Sequence, residues 1–484
     1  MDLSKLKRLL PKHSNDTKKF FSTRDCGTRK RIFNWKEVLD MGLAPDSGLF
    51  LPCAYPQIEA DKLEDISALN YAHMAWILLR GYLPQEDIDD EALLTICTDA
   101  YKDITIPLEN APEENIVIAW LDRGPTASFK DFAALFLARL MSYYLSNVHE
   151  EKIIIVATSG DTGTAIQRAF YKVPNTYVLV LYPAAGVSVI QEKQMLSISN
   201  NVRAVPVNGN FDDCQRLAKS LLNSKHVRKQ FNLTSANSIS IWRLLPQLVY
   251  YFYVWSRCIK TYPHTPISVS VPSGNLGNLT AGLIAKHMGL PLDMLISATN
   301  ANNIFANVVG KGTCIGSLSY RKTPASAMDI AVPSNLERIL SFYGEAPENI
   351  PLVLSSKKDI ADSVMERLQK DIFAEDVITE EDIEGHILRF WNKYGITIEP
   401  HGAIGVAACY RFRQYFSKND SIIVVLETAA PAKFYNFIEH SSKKIPIPTC
   451  QVINDIIDID LDKVRPNTIE ANEDSVIEEL KKLK

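Results

Sequence analysis

A succession of short apolar runs, each followed by helical spacing, constrains this chain more than any other feature. The runs are IVIAWL (116–121), KIIIVAT (152–158), TYVLVLYP (176–183), VRAVPV (202–207), ISVSVPS (267–273) and LISAT (295–299), with SIIVVLET (421–428) standing further along. Between them, apolar residues recur at three- and four-residue intervals over 129–146, 163–172, 188–199, 211–224 and 279–288. Strands that are apolar on both faces and alternate with helices belong in parallel sheets covered on both sides. The fold class is therefore α/β.

A chain of 484 residues exceeds what one hydrophobic core serves, so several domains are expected. Residues 1–115 mix helical patterns at 63–83 and 87–101 with turn-rich loops and read as an N-terminal domain. The strand–helix alternation makes 116–440 a catalytic region of two α/β subdomains. The stretch 441–484 is charged and reads as a tail, a surface helix or a frayed end. A net charge of −4 gives no electrostatic reason for nucleic acid or an anionic membrane as partner. No run is long enough to span a bilayer. The eight cysteines form no CxxC pair and read as reduced thiols, which points to the cytoplasm and to no metal site.

Three segments carry chemistry. In Gly124-Pro-Thr-Ala-Ser-Phe-Lys-Asp131, Lys130 falls in the first turn of an apolar helix. A desolvated lysine loses ammonium stability and becomes available as a free amine, as a Schiff-base or general-base lysine requires. The alternative is a lysine on the helix's solvent face. In Ala157-Thr-Ser-Gly-Asp-Thr-Gly163, a strand runs into a hydroxyl-rich turn whose backbone N–H groups converge at a helix N-terminus, a place for a carboxylate or phosphate. A plain helix cap that binds nothing is the other reading of that turn. Ser273-Gly-Asn-Leu-Gly-Asn278 repeats the strand–loop–helix arrangement and matches neither GxGxxG nor a Walker motif.

These residues resemble the threonine synthase family. GPTASFKD (124–131) is similar to its cofactor-lysine motif, ATSGDTG (157–163) to its substrate-carboxylate loop and PSGNLGN (272–278) to its cofactor-phosphate loop. GLAPDSGLFLP (42–52), QEKQM (191–195), NGNFDDCQ (208–215), SATNANN (297–303) and LETAAPAKF (426–434) extend the likeness over most of the chain. The resemblance implies a fold-type II (tryptophan synthase β-like) pyridoxal 5'-phosphate enzyme with an added N-terminal domain. It implies a lyase of threonine biosynthesis, converting O-phospho-L-homoserine and water to L-threonine and phosphate. It implies that Lys130 carries the cofactor and is the catalytic base. Gly274, Asn275, Leu276, Gly277 and Asn278 would bind the cofactor phosphate. Thr428 would face the pyridine nitrogen and, as a hydroxyl partner, leave it largely unprotonated. Ser159, Gly160, Asp161 and Thr162 would surround the substrate carboxylate, and Lys193, Asn237 and Arg243 would hold its phosphate. The expected partner is this small molecule alone, with the protein a monomer or homodimer.

Three positions depart from the family pattern. Ser240 stands where an asparagine is usual, Gly402 where threonine follows Pro-His, and Ala430 where histidine is common. They leave two alternatives open. One is a phospholyase releasing 2-oxobutyrate, ammonia and phosphate. The other is a cofactor-binding protein without catalysis.

Overall fold

The computed structural model describes residues 3–28, 30–311, 321–374, 377–442 and 444–483. Its strands are β1 (Lys19–Ser22), β2 (Phe33–Asn34), β3 (Phe50–Pro52), β4 (Leu108–Ala111), β5 (Ile116–Trp120), β6 (Lys152–Ala157), β7 (Thr176–Pro183), β8 (Val202–Asn208), β9 (Leu233–Ser235), β10 (Ile267–Pro272), β11 (Leu292–Ala298), β12 (Ile372–Ala374), β13 (Ile422–Glu427) and β14 (Ile469–Glu470). β1–β3 form a small antiparallel sheet near the N-terminus. A six-stranded sheet has the order β12-β11-β10-β13-β5-β4, parallel except for the edge pair β4–β5. A five-stranded sheet, β14-β8-β7-β6-β9, is parallel throughout.

Every residue of β5, β6, β10 and β13 is buried, the signature of sheets covered on both faces. The architecture is the parallel α/β class expected. Differences from the sequence reading are local. The helix expected over 63–83 breaks into Leu63–Ser67 and Tyr71–Arg80, because the Asn70 side chain accepts the His73 N–H and caps a new helix. The charged C-terminal stretch is folded against the five-stranded sheet. β14 pairs with the edge of β8, and the helix Glu473–Lys481 buries Val476 and Leu480 among β6–β8 side chains. An unpaired parallel edge is a liability, and this segment covers it.

Four helices place the candidate residues: α1 (Lys130–Val148), α2 (Asp161–Phe170), α3 (Gly277–His287) and α4 (Pro400–Tyr415). The loops after β5, β6, β9, β10 and β13 all leave the carboxyl ends of parallel strands. That is where open α/β sheets form ligand crevices.

Candidate active site

One cavity is lined by Lys130, by Ser159, Asp161 and Thr162 of the turn after β6, by residues 274–278, by Asn237 and Arg243, and by Thr428. The loop before α1 is built to present Lys130. Asp131 accepts from the Thr126 N–H at 2.9 Å and from the Thr126 hydroxyl at 2.6 Å, and Ala127 takes a left-handed φ of 53°. The Phe129 N–H donates to the Thr428 carbonyl at 2.9 Å, so the lysine loop is tied to the end of β13. Lys130 is the first residue of α1, at the positive end of the helix dipole. Burial lowers its amine from the usual lysine range. Asp161 opposes that shift, while Lys433 and Arg243 add to it.

Asp161 is the electrostatic centre. Its Oδ1 accepts from Lys433 Nζ at 2.9 Å and Gln191 Nε2 at 3.1 Å, and its Oδ2 lies 3.6 Å from Lys130 Nζ. Burial works against the charge, yet Lys433 and then Lys130 hold this carboxyl well below the usual range. Lys433 itself is buried. It falls within LETAAPAKF (426–434), and nothing local marks it, since its partner lies 272 residues away in the chain.

The turn at 158–163 closes part of itself with its own side chain and leaves part of its backbone free. Thr158 Oγ1 accepts the N–H groups of both Gly160 and Gly163 at 2.9 Å. The N–H groups of Asp161 and Thr162, in the first turn of α2, have no intrahelical acceptor. Gly160 does not line the cavity. It has a φ of 139°, and a Cβ there would stand 2.3 Å from the Gln191 carboxamide carbon, so only glycine lets Gln191 reach Asp161.

The loop before α3 fits a phosphate. Its N–H groups crowd a helix N-terminus, Leu276 adopts a left-handed φ of 58°, and the buried Asn278 Nδ2 has no hydrogen-bond partner. Together with a part-buried lysine whose pKa is lowered, these features fit pyridoxal phosphate.

On the substrate side, Asn237 is engaged with Ala157, donating from Nδ2 at 2.6 Å and accepting at Oδ1 at 3.1 Å. Arg243 is buried, its pKa pulled to about 10 by burial. Its Nη1 donates to the Ala236 carbonyl at 2.7 Å while its buried Nε has no partner. Lys193 does not line the cavity, and its ammonium donates to the Ile457 carbonyl instead. The three departures, Ser240, Gly402 and Ala430, are buried and none lines the cavity.

Family models match along the chain in register with these elements. "Threonine synthase N terminus" covers 19–101, "Pyridoxal-phosphate dependent enzyme" 106–428 and "Threonine synthase, C-terminal" 402–478. The threonine synthase of Buchnera aphidicola is 34% identical over 418 residues, spanning 86% of this chain and 90% of that protein. Among solved structures, a PLP-bound threonine synthase from Brucella melitensis superposes with a TM-score of 0.85 at 31% identity, covering 96% of this chain and 99% of that one. The yeast threonine synthase superposes with a TM-score of 0.87 at 28% identity, covering 97% and 99%.

Proposed function

The chain belongs to the threonine synthase family, and from that premise we propose that it converts O-phospho-L-homoserine and water to L-threonine and phosphate with pyridoxal phosphate as cofactor. The observation that carries this reading is the part-buried Lys130 amine, 3.6 Å from Asp161, between two cradles at helix N-termini. One cradle suits the cofactor phosphate and the other the substrate carboxylate, so amine, cofactor and amino acid each have a place.

When bound, pyridoxal phosphate supplies the electron sink for negative charge at the substrate Cα. Lys130 holds the cofactor and is the base for the protons at Cα and Cβ. The same amine returns protons at Cγ, after phosphate leaves, and at Cα. Burial lowers its pKa, which favours the free amine that this work needs. Gly274, Asn275, Leu276, Gly277 and Asn278 would bind the cofactor phosphate, and Thr428 would face the ring nitrogen.

Ser159, Thr162 and the backbone N–H groups of Asp161 and Thr162 surround the substrate carboxylate, while Gly160, whose N–H is given to Thr158, has no direct part. The Asp161 carboxylate is paired with the Lys433 ammonium and accepts from the Gln191 carboxamide, so its charge is offset beside the substrate. Arg243, with its unpartnered Nε, and Asn237 orient the substrate phosphate. A guanidinium offers the forked donors a phosphate prefers. Lys193 has no part in this arrangement.

Because none of the three departures lines the cavity, the reading keeps water addition at Cβ as the outcome. Turnover of O-phospho-L-homoserine with both products quantified tests it. Threonine is expected in proportion to phosphate, and 2-oxobutyrate without threonine would replace the reading with that of a phospholyase. The same reading takes the protein as cytoplasmic, a monomer or homodimer that binds no nucleic acid. Among the described residues no helix is long and apolar enough to cross a membrane.

A further inference from the structure

Two buried tyrosines stand behind the loop before α3, and the reaction as described makes no use of them. Tyr250 and Tyr251 are neighbours on the helix Leu248–Thr261, and neither lines the cavity. Their hydroxyls converge on one residue that does line it, Asn278 in the first turn of α3. The Tyr250 hydroxyl donates to Asn278 Oδ1 at 2.7 Å. The Tyr251 hydroxyl lies 2.7 Å from the same oxygen and 2.8 Å from the Asn278 backbone carbonyl.

The direction of these bonds follows from what each group can offer. Burial pushes both phenols well above their usual range, so each keeps its one hydrogen. Tyr251 meets two acceptors, both on Asn278. Tyr250 has a second acceptor in Gln247 Oε1, but at 3.1 Å against 2.7 Å for Asn278. The Asn278 carboxamide is thus held by its oxygen from the core side. Its buried Nδ2 donates to no protein group. A phosphate carries only acceptors, so the amide serves it in this orientation and not in the reverse one.

Packing holds the tyrosines where they are. A Cβ on Gly282, one turn beyond Asn278, would stand 2.8 Å from Tyr251 Cε1 and Cζ, so glycine there lets the ring lie against α3. The Tyr250 ring sits 5.1 Å from that of Tyr251 and meets Phe132 edge-on at 5.4 Å. Phe132 lies on α1, two residues after Lys130, so Tyr250 joins the lysine helix to the loop before α3.

We propose that Tyr250 and Tyr251 are positioning residues for the cofactor phosphate. They hold the Asn278 carboxamide oxygen from behind, so that its NH₂ meets the phosphate as a donor already aligned. This rests on the reading that residues 274–278 hold that phosphate. The backbone N–H groups of the loop supply the cradle, and the tyrosine pair adds a side-chain donor that loses little rotational freedom on binding.

The test compares pyridoxal 5'-phosphate with pyridoxal, which lacks the phosphate, as ligands of the full-length apoenzyme. Dissociation constants are read from the absorbance change on binding, and the ³¹P resonance of the bound phosphate is recorded beside them. Tyr250→Phe and Tyr251→Phe keep the rings and remove the hydroxyls. Each is expected to weaken pyridoxal phosphate about tenfold and to shift the ³¹P resonance, while pyridoxal changes by less than about twofold. A loss shared equally by both ligands assigns the tyrosines to packing alone and overturns the proposal. An unchanged preference for the phosphate ester in either variant overturns it too. So does a preference undiminished by Asn278→Ala, since the amide then donates nothing. A wild-type protein that does not prefer the phosphate ester overturns instead the underlying placement of the phosphate. Should one tyrosine variant fail to fold, the other still decides the matter.

Discussion

Restoring a side chain at position 402 will collide with Glu427. A Cβ built on Gly402 stands 1.5 Å from Glu427 Oε2 and 2.5 Å from its Cδ, so Gly402→Ala is impossible unless the carboxyl moves. Moving it breaks the 2.7 Å bond from the Glu399 N–H, which is buried behind Thr428. Overpacking of a tight core costs about 1–3 kcal/mol. Leaving a buried N–H without its acceptor adds about 1–3 kcal/mol. The expected loss for Gly402→Ala is therefore about 2–6 kcal/mol, read as a lowered denaturant midpoint of the holoenzyme. The pairing has a sharper signature in a double-mutant cycle. Glu427→Ala removes the obstacle, so Gly402→Ala in that background should cost at least ~1.5 kcal/mol less than in wild type. A single substitution costing under ~1 kcal/mol, or a cost unchanged by Glu427→Ala, would refute the reasoning.

Other consequences follow from the same electrostatics. The Lys433–Asp161 attraction at 2.9 Å is about 6 kcal/mol before desolvation at an effective dielectric near 20. Lys433→Met should cost about 3–5 kcal/mol of stability in denaturation experiments. Removing Lys433 also removes a charge that lowers the Lys130 pKa, so the acid limb of the activity profile should move to higher pH. Glu427 binds its proton more tightly folded than unfolded, so its contribution to stability is lost as pH rises from about 4.3 towards the raised value. Glu427→Gln, a shape match for the neutral acid, should flatten that decline when stability is measured across pH. Arg243→Lys, which loses the unpartnered Nε donor, should raise KM for phosphohomoserine about tenfold, ~1.4 kcal/mol. Lys193→Ala should change KM by less than about twofold, on the order of 0.4 kcal/mol, in the same steady-state assay.

The sheet strands were legible because each is a short, continuous apolar run, and period and length alone separate them from helices. β4, β9, β12 and β14 were not foreseen. They are edge strands of two to four residues, too short to carry a pattern. Lys130 and the two glycine-bearing turns were legible for a different reason. Each is a local device, a strand running into a helix with small and polar residues at the junction, and a local device leaves its mark in consecutive residues.

What lay beyond the sequence is everything that depends on apposition. Lys433, Glu399 and Glu427 carry no local sign of function. Asp161 meets Lys433, and Thr428 meets Glu399, only because β13 inserts between β10 and β5. Lys193 shows the converse: its motif marked it, and the fold turns its ammonium towards Ile457. The sequence by itself determined the class of sheet, the amine and the cradles, since covalent order and periodicity encode them. The tertiary structure alone decided which charges neutralise one another and which carboxyl stands beside Thr428. Those depend on burial and on partners far apart in the chain, and burial is what gives an ionisable group its character.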